Sequence, residues 1–207
     1  MLANVLMIAA AVATSSPGRL PPVDRCGGDA DFAQFRSAIK DAVTRKDPAA
    51  LRKLAASNIQ SNFGGEGSWK EFATTWGLDQ PEKSELWEKM QEVMALGCAK
   101  TEDDGRVFPG LFDDVGEDVD VFELLVARPG AVLRASADKH APAIARLDWT
   151  STLQIESPAP ENWVKVQVPS GETGWVETDL LISPLDYRLV SEKRDGRWQI
   201  TAFIAGD

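Results

Sequence analysis

The stretch from Ala131 to Leu181 constrains the fold most, because apolar and polar residues alternate along it and polar turns interrupt it at short intervals. In its clearest segment, residues 163–168, three valines occupy one face and Trp163, Lys165 and Gln167 occupy the other. Glycine and proline stand at the turns before and after the strand segments. Short strands at this spacing predict a small β-barrel or sandwich of about 50 residues.

The motifs in this stretch follow one another in a recognisable order. Leu133-Arg134 precedes a serine, an Ala-Ile pair precedes Leu147, Trp163 precedes Lys165, and Gly-Trp-Val at 174–176 closes the series. This arrangement resembles the bacterial SH3-like (SH3b) domain family and covers about a quarter of the chain. The resemblance implies an SH3-like barrel at residues 121–183, which would hold an extended peptide or a cell-wall fragment on its aromatic side chains.

Four residues of this region are candidates for ligand binding. We nominate the tryptophans Trp149, Trp163 and Trp175 as contacts, and Arg134 as a partner for a carboxylate. The alternative is that the tryptophans fill the interior, since a small barrel needs large side chains in its core.

The region before the barrel has helical periodicity. Apolar residues recur at steps of three and four from Asp31 to about Lys46, and Asp47-Pro48 then opens a second helix that ends near Asn58. Ser68 starts a capping box for a third helix, and a fourth lies between Pro81 and Gly97.

The fold class is therefore predicted as α+β. Its parts are an N-terminal domain of about four helices with an acidic linker (29–120), the SH3-like barrel (121–183) and a C-terminal β-hairpin packing on the helical domain (184–207).

The two ends of the chain share a second resemblance. Asp195-Gly196 separates two alternating runs, which predicts a hairpin. The turn and its second run form the ending "DGRWQITAFIAGD". This ending, with Asp47-Pro48 after the first helix, resembles nuclear-transport-factor-2-like domains, in which helices pack against a curved sheet. The resemblance implies that the barrel is inserted in, or docked on, a helical domain whose last hairpin returns from the C-terminus.

The first residues predict export. Residues 1–16 contain an apolar run that ends in Ala11-Val12-Ala13, which is typical of a signal peptide and too short to span a bilayer. A buried N-terminal helix is the alternative.

Cys26 and Cys98 flank the helical region and would form one disulfide in an oxidising compartment, with two free thiols as the other possibility. We expect a periplasmic or secreted protein without membrane insertion after signal removal.

Composition and spacing exclude several kinds of site. A net charge of −10 without a basic run argues against nucleic-acid binding. Two cysteines and the single His140 are too few for structural zinc, and the acidic residues between 99 and 120 lack the spacing of a calcium loop. We therefore expect no metal and no cofactor. His140 is far in sequence from both cysteines, so no nucleophile–base pair is visible and the chain is predicted not to be an enzyme.

These observations favour an exported, non-catalytic binding or scaffold protein whose partner is a protein, a peptide or a peptidoglycan fragment. One alternative is a ligand carrier or enzyme with a pocket in the helical half, lined by Phe63, Trp69, Phe72, Trp76 and Trp87. A purely structural envelope protein is the other.

Overall fold

The structure is a computed structural model that describes residues 18–65, 67–116, 118–156 and 159–206. The predicted signal segment, residues 1–16, lies outside these ranges. Within them, no helix has both the length and the apolar character needed to cross a membrane. The helices of the described part are α1 (Ala30–Thr44), α2 (Pro48–Leu54), α3 (Trp69–Thr75) and α4 (Leu86–Ala95).

Side-chain caps fix where three of these helices begin. The carboxylate of Asp29 accepts a hydrogen bond from the Phe32 N–H at 2.9 Å, and Asp47 accepts one from the Ala50 N–H at the same distance. Ser68 caps α3 in the same way, as the sequence predicted. Helix α2 ends four residues earlier than Asn58, at Leu54, because the chain passes directly into a strand at Ala55.

The helices pack on a six-stranded sheet. Its strands, in spatial order, are β1 (Val23–Asp24), β3 (Gly97–Lys100), β4 (Arg106–Phe108), β12 (Arg188–Arg194), β13 (Arg197–Ile204) and β2 (Ala55–Gln60). The outer pairs, β1 with β3 and β13 with β2, are parallel, and the inner pairs are antiparallel. The C-terminal hairpin thus supplies two inner strands of this first sheet.

A seven-stranded antiparallel sheet is built from the residues between β4 and β12. In spatial order its strands are β11 (Leu181–Ile182), β5 (Leu124–Ala127), β8 (Thr150–Glu156), β9 (Trp163–Gln167), β10 (Thr173–Glu177), β6 (Val132–Arg134) and β7 (Ala143–Arg146). Because β4 and β12 are themselves hydrogen-bonded neighbours, the whole second sheet is an insertion in one strand connection of the first.

The predicted fold class, a helical domain with an SH3-like barrel and a separate hairpin, is therefore wrong, although the hairpin does pack on the helices. Strands β2, β3 and β4 lie in the region predicted to be helices and linker, and they pair with the hairpin, so that it is part of a sheet rather than a separate element. The alternating stretch recruits β5 and β11 at one edge and forms a seven-stranded sheet. Local alternation identified strands here, but it carried no information about how many of them would pair.

Each sheet has its own hydrophobic core, and a third cluster lies between them. The first core joins the helices to the first sheet and includes Ile39, Leu51 and Met90, all fully buried. The second core, with Leu133 and Val166, lies under one face of the second sheet. The third cluster consists of residues from both regions, with Trp149 packed against it: Leu20, Leu96, Leu111, Val126 and Ile182.

Candidate functional site

Three of the four nominated ligand-binding residues lie together on one face of the second sheet. In its ladder, Trp175 on β10 is directly opposite Arg134 on β6 and Lys165 on β9. Residues opposite each other in antiparallel strands point to the same face. The side chains of Arg134, Trp175 and Lys165 therefore form a row across three adjacent strands.

Trp163 lies on the same face, opposite Glu177. It is a diagonal neighbour of Trp175, a position that corresponds to about 7 Å between backbones. The alternate residues of these strands, Val166 and Val176, are fully buried in the second core. We call the set Arg134, Trp163, Lys165 and Trp175 the tryptophan face. All four side chains are half-buried, so they are held by their neighbours and still reach solvent.

Two contacts fix the positions of the cationic groups of Lys165 and Arg134 on the tryptophan face. The Nζ atom of Lys165 is 5.7 Å from the centroid of the Trp175 ring, within the range of a cation–π interaction. The Nη1 atom of Arg134 donates a hydrogen bond of 3.0 Å to the Ala141 carbonyl, which anchors the guanidinium at the edge of the sheet. Arg134 and Lys165 bring two cations beside the two indole rings, and Glu177, opposite Trp163, adds one carboxylate to the same face. The cations and the rings suit a carboxylate joined to a ring-shaped or apolar body.

The fourth nominated residue, Trp149, lies elsewhere. It has a positive φ of 50° in the turn before β8, and its carbonyl accepts a hydrogen bond of 2.8 Å from the Leu20 N–H. Its side chain packs on the third cluster, between the two sheets. Trp149 is therefore a packing residue of that contact and is not part of the tryptophan face.

Lys165 was not nominated from the sequence, although a signal for it existed. It alternates with Trp163 and Gln167, so the strand pattern already placed it on the same face as Trp163. What the pattern could not give was the register that sets Lys165 opposite Trp175.

The aromatic residues of the helical half are mostly packing residues. Phe72 and Trp87 are buried, and the rings of Trp76 lie 5.3 Å from Phe203 and 5.1 Å from Tyr187. Phe63, by contrast, is 55% exposed. Trp69 and Trp76 border two different, wide-open depressions that share Asp79. The five residues proposed as one pocket lining are therefore divided between the core and different surfaces.

Cys26 and Cys98 are joined in a disulfide that ties the chain after β1 to strand β3. Asp24 lies close enough to both sulfur atoms to suggest a metal site within the described residues, but sulfur atoms bonded to each other offer no thiolate ligand. Partial burial raises the pKa of Asp24, and hydrogen bonds from Arg36 and from the Cys26 N–H outweigh that effect, so the pKa lies below its usual value. The disulfide is consistent with an oxidising, exported compartment.

Comparison with known proteins finds similar solved structures and no similar sequence family. No protein-family model matches the sequence, and no curated protein matches it. Among solved structures, an NTF-2-like protein of unknown function from Shewanella oneidensis MR-1 is 14% identical, with a TM-score of 0.32 over 86% of this chain and 97% of that chain. A putative ketosteroid isomerase from Shewanella frigidimarina NCIMB 400 is 16% identical, with a TM-score of 0.33 over 86% and 96%. A putative calcium/calmodulin dependent protein kinase II association domain from Xanthomonas campestris is 14% identical, with a TM-score of 0.32 over 88% and 91%.

These comparisons correct two sequence-based predictions. The similar structures include NTF-2-like proteins, in line with the resemblance of the chain ends, and nothing found supports the SH3-like resemblance. The prediction that the chain is not an enzyme is wrong as an exclusion, because a putative ketosteroid isomerase is among the similar structures. At this identity and TM-score, no reaction and no residue role passes from that protein to this chain.

Proposed function

We propose that this chain is an exported binding protein, periplasmic or secreted, that holds a peptidoglycan fragment on the tryptophan face. The observation that supports the proposal is the cross-strand row in which Trp175 lies between Arg134 and Lys165. Trp163, on the same face and diagonal to Trp175, adds a second indole ring beside this row.

The chemistry of a wall fragment matches these side chains. Such a fragment combines sugar rings, whose C–H faces pack on aromatic rings, with a short peptide that carries carboxylates. Binding sites commonly pair an apolar aromatic surface with a few polar groups that fix orientation. Arg134 and Lys165 supply charge-assisted hydrogen bonds for a carboxylate, and the two tryptophans supply the surface for a ring.

The test is a calorimetric titration with a soluble disaccharide–tetrapeptide muropeptide. We expect Arg134→Ala and Lys165→Ala each to weaken binding about tenfold, as the loss of one charged hydrogen bond predicts. Trp163→Ala should weaken it by about 30-fold, as is typical of a buried aromatic contact. Lys100→Ala and Trp69→Phe, which lie in the region of the first sheet, are the matched controls and should bind like the unchanged protein.

Two results would contradict the proposal. One is the absence of muropeptide binding by the folded protein. The other is unchanged binding in all three variants of the face. Equal affinity for the tetrapeptide without its sugars would reassign the ligand to the peptide class, since the indole rings would then have no sugar to contact.

A further inference from the structure

A cavity of about 340 Å³ lies where the first sheet's helices meet the second sheet. Helix α4 forms one wall, and the opposite wall is formed by β11 and the segments on either side of it. The cavity is separate from the tryptophan face, because none of the four residues of that face lines it.

The floor of the cavity is apolar and well ordered by packing. It contains Val93, Leu96 and Ile182, which are 6%, 5% and 2% exposed. Val93 belongs to the first core, and the other two belong to the third cluster between the sheets. An apolar group of a few carbons that entered the cavity would therefore contact side chains that the fold already holds in place.

Some charged side chains on the rim of the cavity have an ion-pair or hydrogen-bond partner, and others have none among the described residues. Lys89 is paired with Glu92 at 3.4 Å, and the carboxylate of Asp186 accepts a hydrogen bond of 2.8 Å from the Ser183 N–H. Arg128 and Asp179 also line the cavity, and neither side chain has a hydrogen bond or ion pair in the part of the chain that the structure describes. One positive and one negative side chain are thus available to a ligand.

The backbone keeps these two residues close together. The Arg128 N–H donates a hydrogen bond of 2.8 Å to the carbonyl of Leu180, the residue that follows Asp179. The strands beside them pair with Leu181 opposite Ala127. Arg128 and Asp179 therefore lie at neighbouring positions on one rim, yet they do not form a salt bridge with each other.

We propose that this cavity binds a zwitterionic α-amino acid with an apolar side chain. Its carboxylate would pair with Arg128, its ammonium group with Asp179, and its side chain would rest on Val93, Leu96 and Ile182. A simple carboxylate would leave Asp179 facing the bound negative charge, and a simple amine would leave Arg128 facing a positive one. The ligand that satisfies both groups carries both charges.

The experiment uses the full chain and leucine as the probe. Leucine is titrated while the methyl signals of Val93, Leu96 and Ile182 are followed by NMR. Two analogues test the charges: 4-methylpentanoate lacks the ammonium group, and isopentylamine lacks the carboxylate. We expect leucine to shift the three methyl signals, and each analogue to bind at least tenfold more weakly.

Substitutions test the two rim residues separately. Arg128→Gln and Asp179→Asn should each weaken leucine binding at least tenfold, whereas Arg128→Lys should keep part of it. Lys100→Ala and Asp103→Asn are exposed controls on the first sheet and its adjoining turn, and should change nothing. Thermal melting identifies any variant that has lost its fold, in which case the analogue series on the unchanged protein decides.

The proposal is overturned if leucine at millimolar concentration leaves the three methyl signals in place. It is also overturned if 4-methylpentanoate or isopentylamine binds as tightly as leucine, or if folded Arg128→Gln and Asp179→Asn proteins bind leucine normally. None of these outcomes bears on the tryptophan face, which is tested with a different ligand and different variants.

Discussion

Arg106 carries a charge into the first core. Only 7% of its side chain is exposed, and its guanidinium carbon lies 4.9 Å from the centroid of Trp198 and 5.4 Å from that of Phe32. Its nearest acid is Asp29, at 3.5 Å, and its Nε atom has no hydrogen-bond partner within the described residues. Its Nη1 atom donates hydrogen bonds to the carbonyls of Asp104 and Gly105. Because a buried charge also needs an opposite charge nearby, the Asp29 carboxylate has two roles: it caps α1 and it pairs with Arg106.

Substitutions at Asp29 separate those two roles. Asp29→Asn keeps a side-chain oxygen for the cap and removes the charge, whereas Asp29→Ala removes both. We expect Asp29→Ala to lower the free energy of unfolding by about 1 kcal/mol more than Asp29→Asn does, which is the usual contribution of a helix cap. Urea denaturation measures the difference. In an Arg106→Met background the effect of Asp29→Asn should shrink, and an undiminished effect there would show that the ion pair contributes nothing.

Among the elements, the C-terminal hairpin has the largest structural role. Its two strands lie between β4 and β2 in the first sheet, and Leu189, Ile200 and Phe203 place their side chains in the first core. Without the hairpin, β4 and β2 would each lose the sheet neighbour that this core is built on.

Deleting residues 184–207 should therefore unfold the region 30–98. The second sheet should keep its amide protection, because its strands all lie between residues 124 and 182. Hydrogen exchange followed by NMR distinguishes the two regions in one experiment. As a control, Lys193→Ala, which removes an exposed ion pair with Asp31, should change stability by less than about 1 kcal/mol. Intact protection of residues 30–98 in the truncated chain would contradict this role of the hairpin.

Local patterns explain which elements were predictable from sequence. The Asp195-Gly196 turn, with φ angles of 50° and 75°, marked the hairpin, and the caps at Asp47 and Ser68 marked two helix starts. Strands β3 and β4 are only four and three residues long, too short for alternation to be recognised. Their partner strands lie far away in sequence, so the set of strands that forms the first sheet could not be predicted from local patterns.

The same distinction applies to the candidate site. Trp163 and Lys165 share a face by simple alternation, which a sequence shows. The place of Trp149 depends on Gly18 and Leu20 forming backbone hydrogen bonds with Ser151 and Trp149, and no local motif signals that pairing. The partly buried Arg128 was not recognised either, since the cavity it borders is formed by segments about 90 residues apart.

At the scale of the whole molecule, the two sheets are connected through a small contact. The third cluster contains Leu20 and Leu96 from the first region and Val126 and Ile182 from the second, with Trp149 against it. Arg19 forms an exposed ion pair with Asp148, at 2.5 Å, beside the same contact. Coupling between the two main cores therefore depends on few side chains.

Trp149→Ala should weaken this coupling. We expect a loss of about 2 kcal/mol or more, because a large side chain packed on buried residues is removed. We also expect thermal unfolding, followed by calorimetry, to separate into two transitions. Trp163→Ala is the matched control: it removes a tryptophan from the outer face of the second sheet and should leave the unfolding cooperative. A single, merely shifted transition in Trp149→Ala would show that the sheets are coupled by other contacts.

The insertion of the second sheet between β4 and β12 also sets an order of events during synthesis. The strands of the second sheet follow one another without interruption, so this sheet can form while the ribosome is still translating. The first sheet cannot, since its inner strands β12 and β13 follow the second sheet in the chain, whereas its helices precede it. The apolar faces of residues 30–108 therefore stay uncovered until residues 188–204 have been synthesised. The helices of the first sheet are therefore the segment that depends longest on protection from aggregation during synthesis.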